Sequence, residues 1–298
     1  MASGAAGRSR AGQRQGALDF YEELTDALLA ASVEPWICLH HWDMPVAVQE
    51  KGGWIVRETV DRFLDYARIV MTPLGDRVRH WVPLNEPNTV AYAGYGAGVW
   101  PPKFMNEEFF YGSVHHQNLA MGRLYKELRR ADWLIGSTIA LDPIRPASAD
   151  ARDVAAAKLQ STVTQDAFLD PLFLGHYPSS LTARMAPLVH ATDLDTIHKS
   201  MDFIGVNYYG PKYRQAWVGA PFSNDGRAIQ LEGVPQTDAH VVIEPSGLSN
   251  VLDRLRDRYA NPPVFITENG AAFQVSSDGY FYEIRRRIDL RVDAAPLI

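Results

Sequence analysis

The chain has 298 residues, 46% hydrophobic and 21% charged, with a formal net charge of −6. That apolar content suffices for a large core, and the length admits one large α/β domain or two small ones. Lys and Arg are scattered rather than clustered, which argues against a nucleic-acid or membrane partner.

Residues 1–16 are rich in Gly, Ala, Arg, Ser and Gln and hold no apolar stretch of the kind a secretory signal needs. They read as a disordered tail ahead of a single domain over 17–298. Residues 17–32 carry Leu18, Tyr21, Leu24, Ala27 and Leu28 at helical spacing. Residues 33–42 read as a buried strand. It contains Cys38, the one cysteine, so no intrachain disulfide is possible, in keeping with a reducing cytoplasm. Within Trp36-Ile37-Cys38-Leu39, Cys38 reads as a small buried hydrophobe rather than a reactive thiol. A helix is expected over 59–74, a strand over 78–84, a long helix over 107–130 and a strand over 135–141. Residues 151–175 read as helical and 201–209 as a strand. The segment 210–245, rich in Gly, Pro, Asp and Gln, reads as a long loop over the strand ends. A helix over 246–259, a strand over 263–267 and a helical segment over 282–292 complete the chain. No stretch is apolar for long enough to span a membrane.

Continuous apolar strands separated by helices indicate a parallel sheet covered on both faces. His41, Glu86, Asn207 and Glu268 each fall at the C-terminal end of a different strand, where (β/α) barrels place their active sites. No Gly-rich phosphate turn follows the first strand, which weighs against a nucleotide-binding sheet. Glu86 and Glu268 each neighbour an Asn and each close an apolar strand. Two such carboxyl groups are the usual means of breaking a glycosidic bond: one protonates the leaving oxygen, the other attacks the anomeric carbon or activates water. His40, His41, Asp43, His115 and His116 raise the question of a metal site. Neighbouring residues on a strand point to opposite faces, so His40 and His41 cannot share an ion, and no metal is expected.

Five motifs occur in order: Leu39-His40-His41-Trp42-Asp43-Met44-Pro45, Gly52-Gly53-Trp54, Asn85-Glu86-Pro87, Asp202-Phe203-Ile204-Gly205-Val206-Asn207-Tyr208-Tyr209 and Ile266-Thr267-Glu268-Asn269-Gly270. Together they resemble glycoside hydrolase family 1, the β-glucosidase family, over roughly Leu18 to Phe273. The resemblance implies a TIM barrel and double displacement with retention, with Glu86 as acid/base and Glu268 as nucleophile. It implies that Asn85 bonds the sugar 2-OH, that His41 and Trp42 line the glycone pocket, that Tyr209 holds Glu268 ionised, and that Asn207 supports the same pocket. It implies no cofactor and a β-glucoside or oligosaccharide as partner. Oligomeric state is not legible. Two strands that precede the equivalent of Val33–Trp42 in the family, one bearing a Gln and one an Arg, are not recognisable, nor is an eighth strand. The expected fold is therefore an incomplete (β/α)8 TIM barrel with about five of the eight strands, the third to the seventh. The expected function is a cytoplasmic retaining β-glycosidase that hydrolyses terminal β-linked glucosyl residues. The alternative is a catalytically impaired fragment of such an enzyme, at most a weak sugar binder.

Overall fold

A computed structural model describes residues 10–217 and 226–273. Its central feature is a run of parallel strands. Strand β1 (Trp36–His40) pairs with β2 (His80–Leu84), which pairs with the short β3 (Leu134–Ile135). An isolated parallel bridge between Asn85 and Thr138 carries the sheet on to β4 (Thr138–Ala140). Next come β6 (Ile204–Tyr208), paired with β4, and β9 (Val264–Asn269), paired with β6. The expected strand over 135–141 is thus two pieces. The break falls at Gly136-Ser137, where a Cβ on Gly136 would lie 2.1 Å from the Phe203 carbonyl oxygen. Only glycine permits that approach, and backbone hydrogen bonds continue across the break, from Gly136 N to Trp81 O at 3.1 Å and from Gly205 N to Ser137 O at 3.0 Å.

Helices cover the outer face. The helix Glu58–Leu74 starts with Glu58 and Asp61 in its first turn, where carboxylates favour the helix dipole. It buries Val60, Phe63, Leu64, Ala67, Met71 and Leu74 on one stripe. The helix Glu107–Leu128 is capped by Asn106, whose side chain accepts from Phe109 N at 2.9 Å. Covered on both faces, β2 is buried at every residue. The expected helix over 151–175 is continuous in direction but contains a π-helical stretch, Thr162–Asp166, between Ala151–Ser161 and Ala167–Leu174. The helix Ser246–Arg258 precedes β9.

The two edge strands, β1 and β9, are not hydrogen-bonded to each other among the described residues. The sheet nevertheless curls, because Trp36 at the start of β1 meets Phe265 near the start of β9 with ring centroids 4.9 Å apart. On the concave side, a Cβ on Gly205 would meet Thr138 at 2.6 Å and Thr267 at 2.9 Å, so glycine lets the neighbouring threonines fill that space. Cys38 lies on this side and is exposed rather than buried as expected, since no strand covers β1 there among the described residues. The edge strand β9 is correspondingly open, with Phe265 39% and Ile266 45% exposed. No closed barrel is formed by the described residues.

Other expectations shift at their boundaries. The first helix begins at Arg10 rather than residue 17, so the tail assigned to 1–16 ends earlier. The strand expected over 33–42 is confined to Trp36–His40. The segment 210–245 is more than a loop: β7 (Lys212–Gln215) pairs with β5 (Ile144–Pro146) in parallel and with β8 (Arg227–Ile229) antiparallel. This small sheet stands beyond the C-terminal ends of β4 and β6. The helical segment expected over 282–292 lies outside the described residues. No described helix is long and apolar enough to cross a membrane.

Candidate active site

A cleft of about 840 Å³ opens at the C-terminal ends of the parallel strands. Its walls include His41, Trp42, Glu86, Tyr209 and Glu268, five of the seven residues singled out from sequence. Asn85 and Asn207 lie directly behind them, joined to them by hydrogen bonds.

Glu86 follows β2 with its backbone in the left-handed region, φ 46° and ψ 54°. Such a residue costs of the order of 1 kcal/mol or more and persists where its surroundings hold it. Here Glu86 N donates to Thr138 O at 2.8 Å, and Pro87 begins a helical turn immediately afterwards. The side chain is only 6% exposed. Burial pushes its pKa up, against the opposing effect of hydrogen bonds from Asn207 and Thr89, and Glu268 raises it further by charge repulsion. Glu86 is thereby suited to carry a proton.

Asn207 connects the two halves of the site. It stands opposite Glu268 in the β6–β9 register, next to an irregularity after Val206. Its Nδ2 donates to Glu86 Oε1 at 3.0 Å and to Asn85 Oδ1 at 3.2 Å. Its Oδ1 accepts from Thr267 at 2.6 Å. Asn85 Oδ1 also accepts from the Thr138 hydroxyl. That leaves Asn85 Nδ2 facing His41 Nε2 at 3.3 Å, within hydrogen-bonding distance.

Glu268 is held differently. Tyr209 donates its hydroxyl to Glu268 Oε2 at 2.9 Å. The Tyr209 pKa is pushed up to about 12 by burial, by that hydrogen bond and by the charge of Glu268, so the phenol remains a neutral donor. Trp42, also at positive φ (69°), stacks at a tilt on Trp100 with centroids 4.6 Å apart, giving the rim an aromatic platform.

Sequence reasoning missed Asp142, Lys212 and Arg214, which also line the cleft. Asp142 Oδ1 accepts from Tyr209 N at 3.0 Å and Gly210 N at 3.3 Å, and its Oδ2 pairs with Lys212 Nζ at 2.8 Å. Arg214 lines the outer wall. The alternation of Lys212 and Arg214 was the available signal, hidden within a segment read as loop. Among the described residues, no group of three or more His, Cys, Asp or Glu side chains is placed to hold a metal ion. His40 and His116 are buried. His115 is too, between Tyr177 and Asp193.

Comparison with known proteins places this arrangement. The model of glycosyl hydrolase family 1 matches residues 6–291. The chain is 34% identical over 283 residues to beta-glucosidase A of Thermotoga maritima, covering 92% of this chain and 63% of that protein. It is 37% identical over 273 residues to thermostable beta-glucosidase B of Thermobispora bispora, covering 88% of this chain and 55% of that protein. Among solved structures, it superimposes on the psychrophilic beta-glucosidase BglU of Micrococcus antarcticus with a TM-score of 0.79 at 35% identity, covering 88% of this chain and 62% of that one. The Thermotoga maritima beta-glucosidase in complex with deoxynojirimycin matches with a TM-score of 0.79 at 33% identity, covering 92% and 62%. The chain thus spans less than two thirds of the length of these relatives.

Proposed function

The chain belongs to glycosyl hydrolase family 1, and from that premise we propose that it acts as a retaining β-glucosidase on terminal β-linked glucosyl residues. The observation that carries the proposal is the pair of strand-end glutamates on one cleft, of which one is buried and pushed toward its acid form. In this reading the parallel strands, with β3 and β4 counted as one interrupted strand, are the third to seventh of the family's barrel.

In the first step Glu86 gives its proton to the glycosidic oxygen as the bond from that oxygen to the anomeric carbon breaks. A carboxylate oxygen of Glu268 bonds to that carbon from the other face. In the second step Glu86, now ionised, takes a proton from water. The water oxygen attacks the anomeric carbon and Glu268 departs, restoring both groups. The Tyr209 hydroxyl steadies Glu268 as a carboxylate. Asn85, oriented by Thr138 and Asn207, offers its amide to the sugar 2-OH, a bond that strengthens as positive charge develops at the reacting centre. His41 and Trp42 border the glycone, and Asn207 holds Glu86 and Asn85 in one frame. The single cysteine supports a cytoplasmic setting.

An aryl β-glucoside assay on the purified chain, with Glu268→Ala as its control, tests the proposal. Turnover that disappears in the variant is expected. Turnover unaffected by the substitution overturns the assignment, and absence of turnover in the folded parent chain favours an impaired sugar binder.

A further inference from the structure

Lys212 and Arg214 are two residues apart on β7, so their side chains leave the same face of that strand, and both line the cleft that holds the two glutamates. Lys212 is neutralised by Asp142 at 2.8 Å. Arg214 has no such partner among the described residues. It is 8% exposed, its Nε is buried without a hydrogen bond, and no carboxylate of the described residues pairs with its guanidinium. Two nearby acidic groups among the described residues are committed elsewhere. Asp153 accepts from Ser148 Oγ and Ala216 N, and Glu244 pairs with Arg145. Opposite Arg214 on β8 stands Ala228, whose methyl group offers the guanidinium no polar partner. Buried polar groups are nearly always satisfied, and an unpaired buried cation is costly. A buried guanidinium in this position is suited to pair with an anion.

The position of Arg214 says which part of a substrate supplies it. β5 and β7 follow β4 and β6 along the chain and extend past their C-terminal ends. Arg214 therefore stands outside the level of Glu86 and Glu268, whereas Asn85 and His41 lie on the inner strands β1 and β2 or directly after them. With the anomeric carbon between the glutamates, the sugar faces inward and the leaving group outward. We infer that Arg214, with Lys212 beside it, is the recognition point for a carboxylate on the leaving group, selecting β-glucosides of acidic aglycones. The guanidinium fork matches a carboxylate through two parallel hydrogen bonds. This inference rests on the β-glucosidase reading of the cleft.

The test is equilibrium binding by calorimetry of two non-hydrolysable probes, 4-carboxyphenyl and 4-carbamoylphenyl β-D-thioglucoside, with benzoate as a third. The acid should bind the full chain roughly tenfold more tightly than the amide, as a charge-assisted bidentate contact provides. Arg214→Met should bring that ratio to about one, while Arg214→Lys should keep part of it because a charge remains without the fork. A ratio near one in the parent chain overturns the inference and leaves the glucoside reading intact, provided the amide binds. So does a ratio unchanged in Arg214→Lys, or in Arg214→Met where that variant shows a cooperative melt. If neither thioglucoside binds, the glucoside reading has failed. Benzoate then decides the anion point alone: binding lost on Arg214 substitution upholds it, and no binding to the parent chain overturns it.

Discussion

The ends of β2 and β9 carry the two glutamates, yet they are built in opposite ways. β2 is buried at every residue, flanked by β1 on one side and β3 on the other, and delivers Glu86 into a network of Thr138, Asn207 and Asn85. β9 is an edge strand, paired only with β6 among the described residues and exposed along much of its length. Among the described residues, the Glu268 side chain near its end is anchored by the Tyr209 hydroxyl. The half of the site that holds Glu86 is thus fixed by the packed core, whereas the half that holds Glu268 is positioned from one side. Misplacement of a reacting group by about 1 Å can cost on the order of 10²-fold in rate, so activity should be more sensitive to β9 than to β2.

Substitutions at the two ends sharpen this contrast, beginning with the largest effect. Glu268→Ala should reduce aryl β-glucoside turnover by about 10⁴-fold or more, because the covalent route is lost. Residual turnover within tenfold of the parent would remove Glu268 from the nucleophile role. Glu86→Gln should reduce hydrolysis by roughly 10²–10⁴-fold for alkyl glucosides, whose leaving oxygen needs a proton, and far less for 4-nitrophenyl glucoside. Equal losses on both substrates would contradict its role as acid. Tyr209→Phe removes the hydroxyl on Glu268 and should lower kcat about tenfold, the scale of a hydrogen bond to a charged group. An unchanged kcat would mean that Glu268 is held by contacts other than this one.

The smallest expected effect is a pH shift. In the proposed mechanism Glu86 is protonated in the free enzyme, so the basic limb of kcat/KM should report its pKa, which burial already raises. Asn207 donates to the carboxylate and so favours the ionised form. Asn207→Ala should therefore move that limb to higher pH. A limb that stays in place or moves down would dissociate Asn207 from the titration of Glu86. In parallel, backbone amides of β9 should exchange with solvent faster than those of β2, as expected for an exposed edge. Equal protection would show that β9 is covered.

Legibility in the sequence followed the same division. The motifs around β2, β6 and β9 combine continuous apolar runs with polar residues at their ends, so strand, strand end and candidate chemistry could be read together. Glu86, Glu268, His41, Trp42 and Tyr209 lie on the cleft, and Asn85 and Asn207 are hydrogen-bonded behind them. What escaped depends on contacts distant along the chain. The close approach of Gly136 to the Phe203 carbonyl, between β3 and β4, is something the local pattern does not encode. Exposure of Cys38 follows from what does and does not cover the concave face of β1. Strands β7 and β8 lie in a segment whose Gly and Pro content outweighs its short alternation, so the pairing with β5 and the placement of Arg214 were hidden.

The central claim is that Glu268 attacks the anomeric carbon while Glu86 manages the proton. Incubation with 2-deoxy-2-fluoro-β-glucosyl fluoride, which forms a slowly hydrolysed glycosyl ester, followed by peptide mass analysis, tests it directly. One equivalent of sugar ester on the peptide containing Glu268, absent in Glu268→Ala, is the predicted result. A folded chain that acquires no label, or acquires it on another carboxylate, contradicts the account.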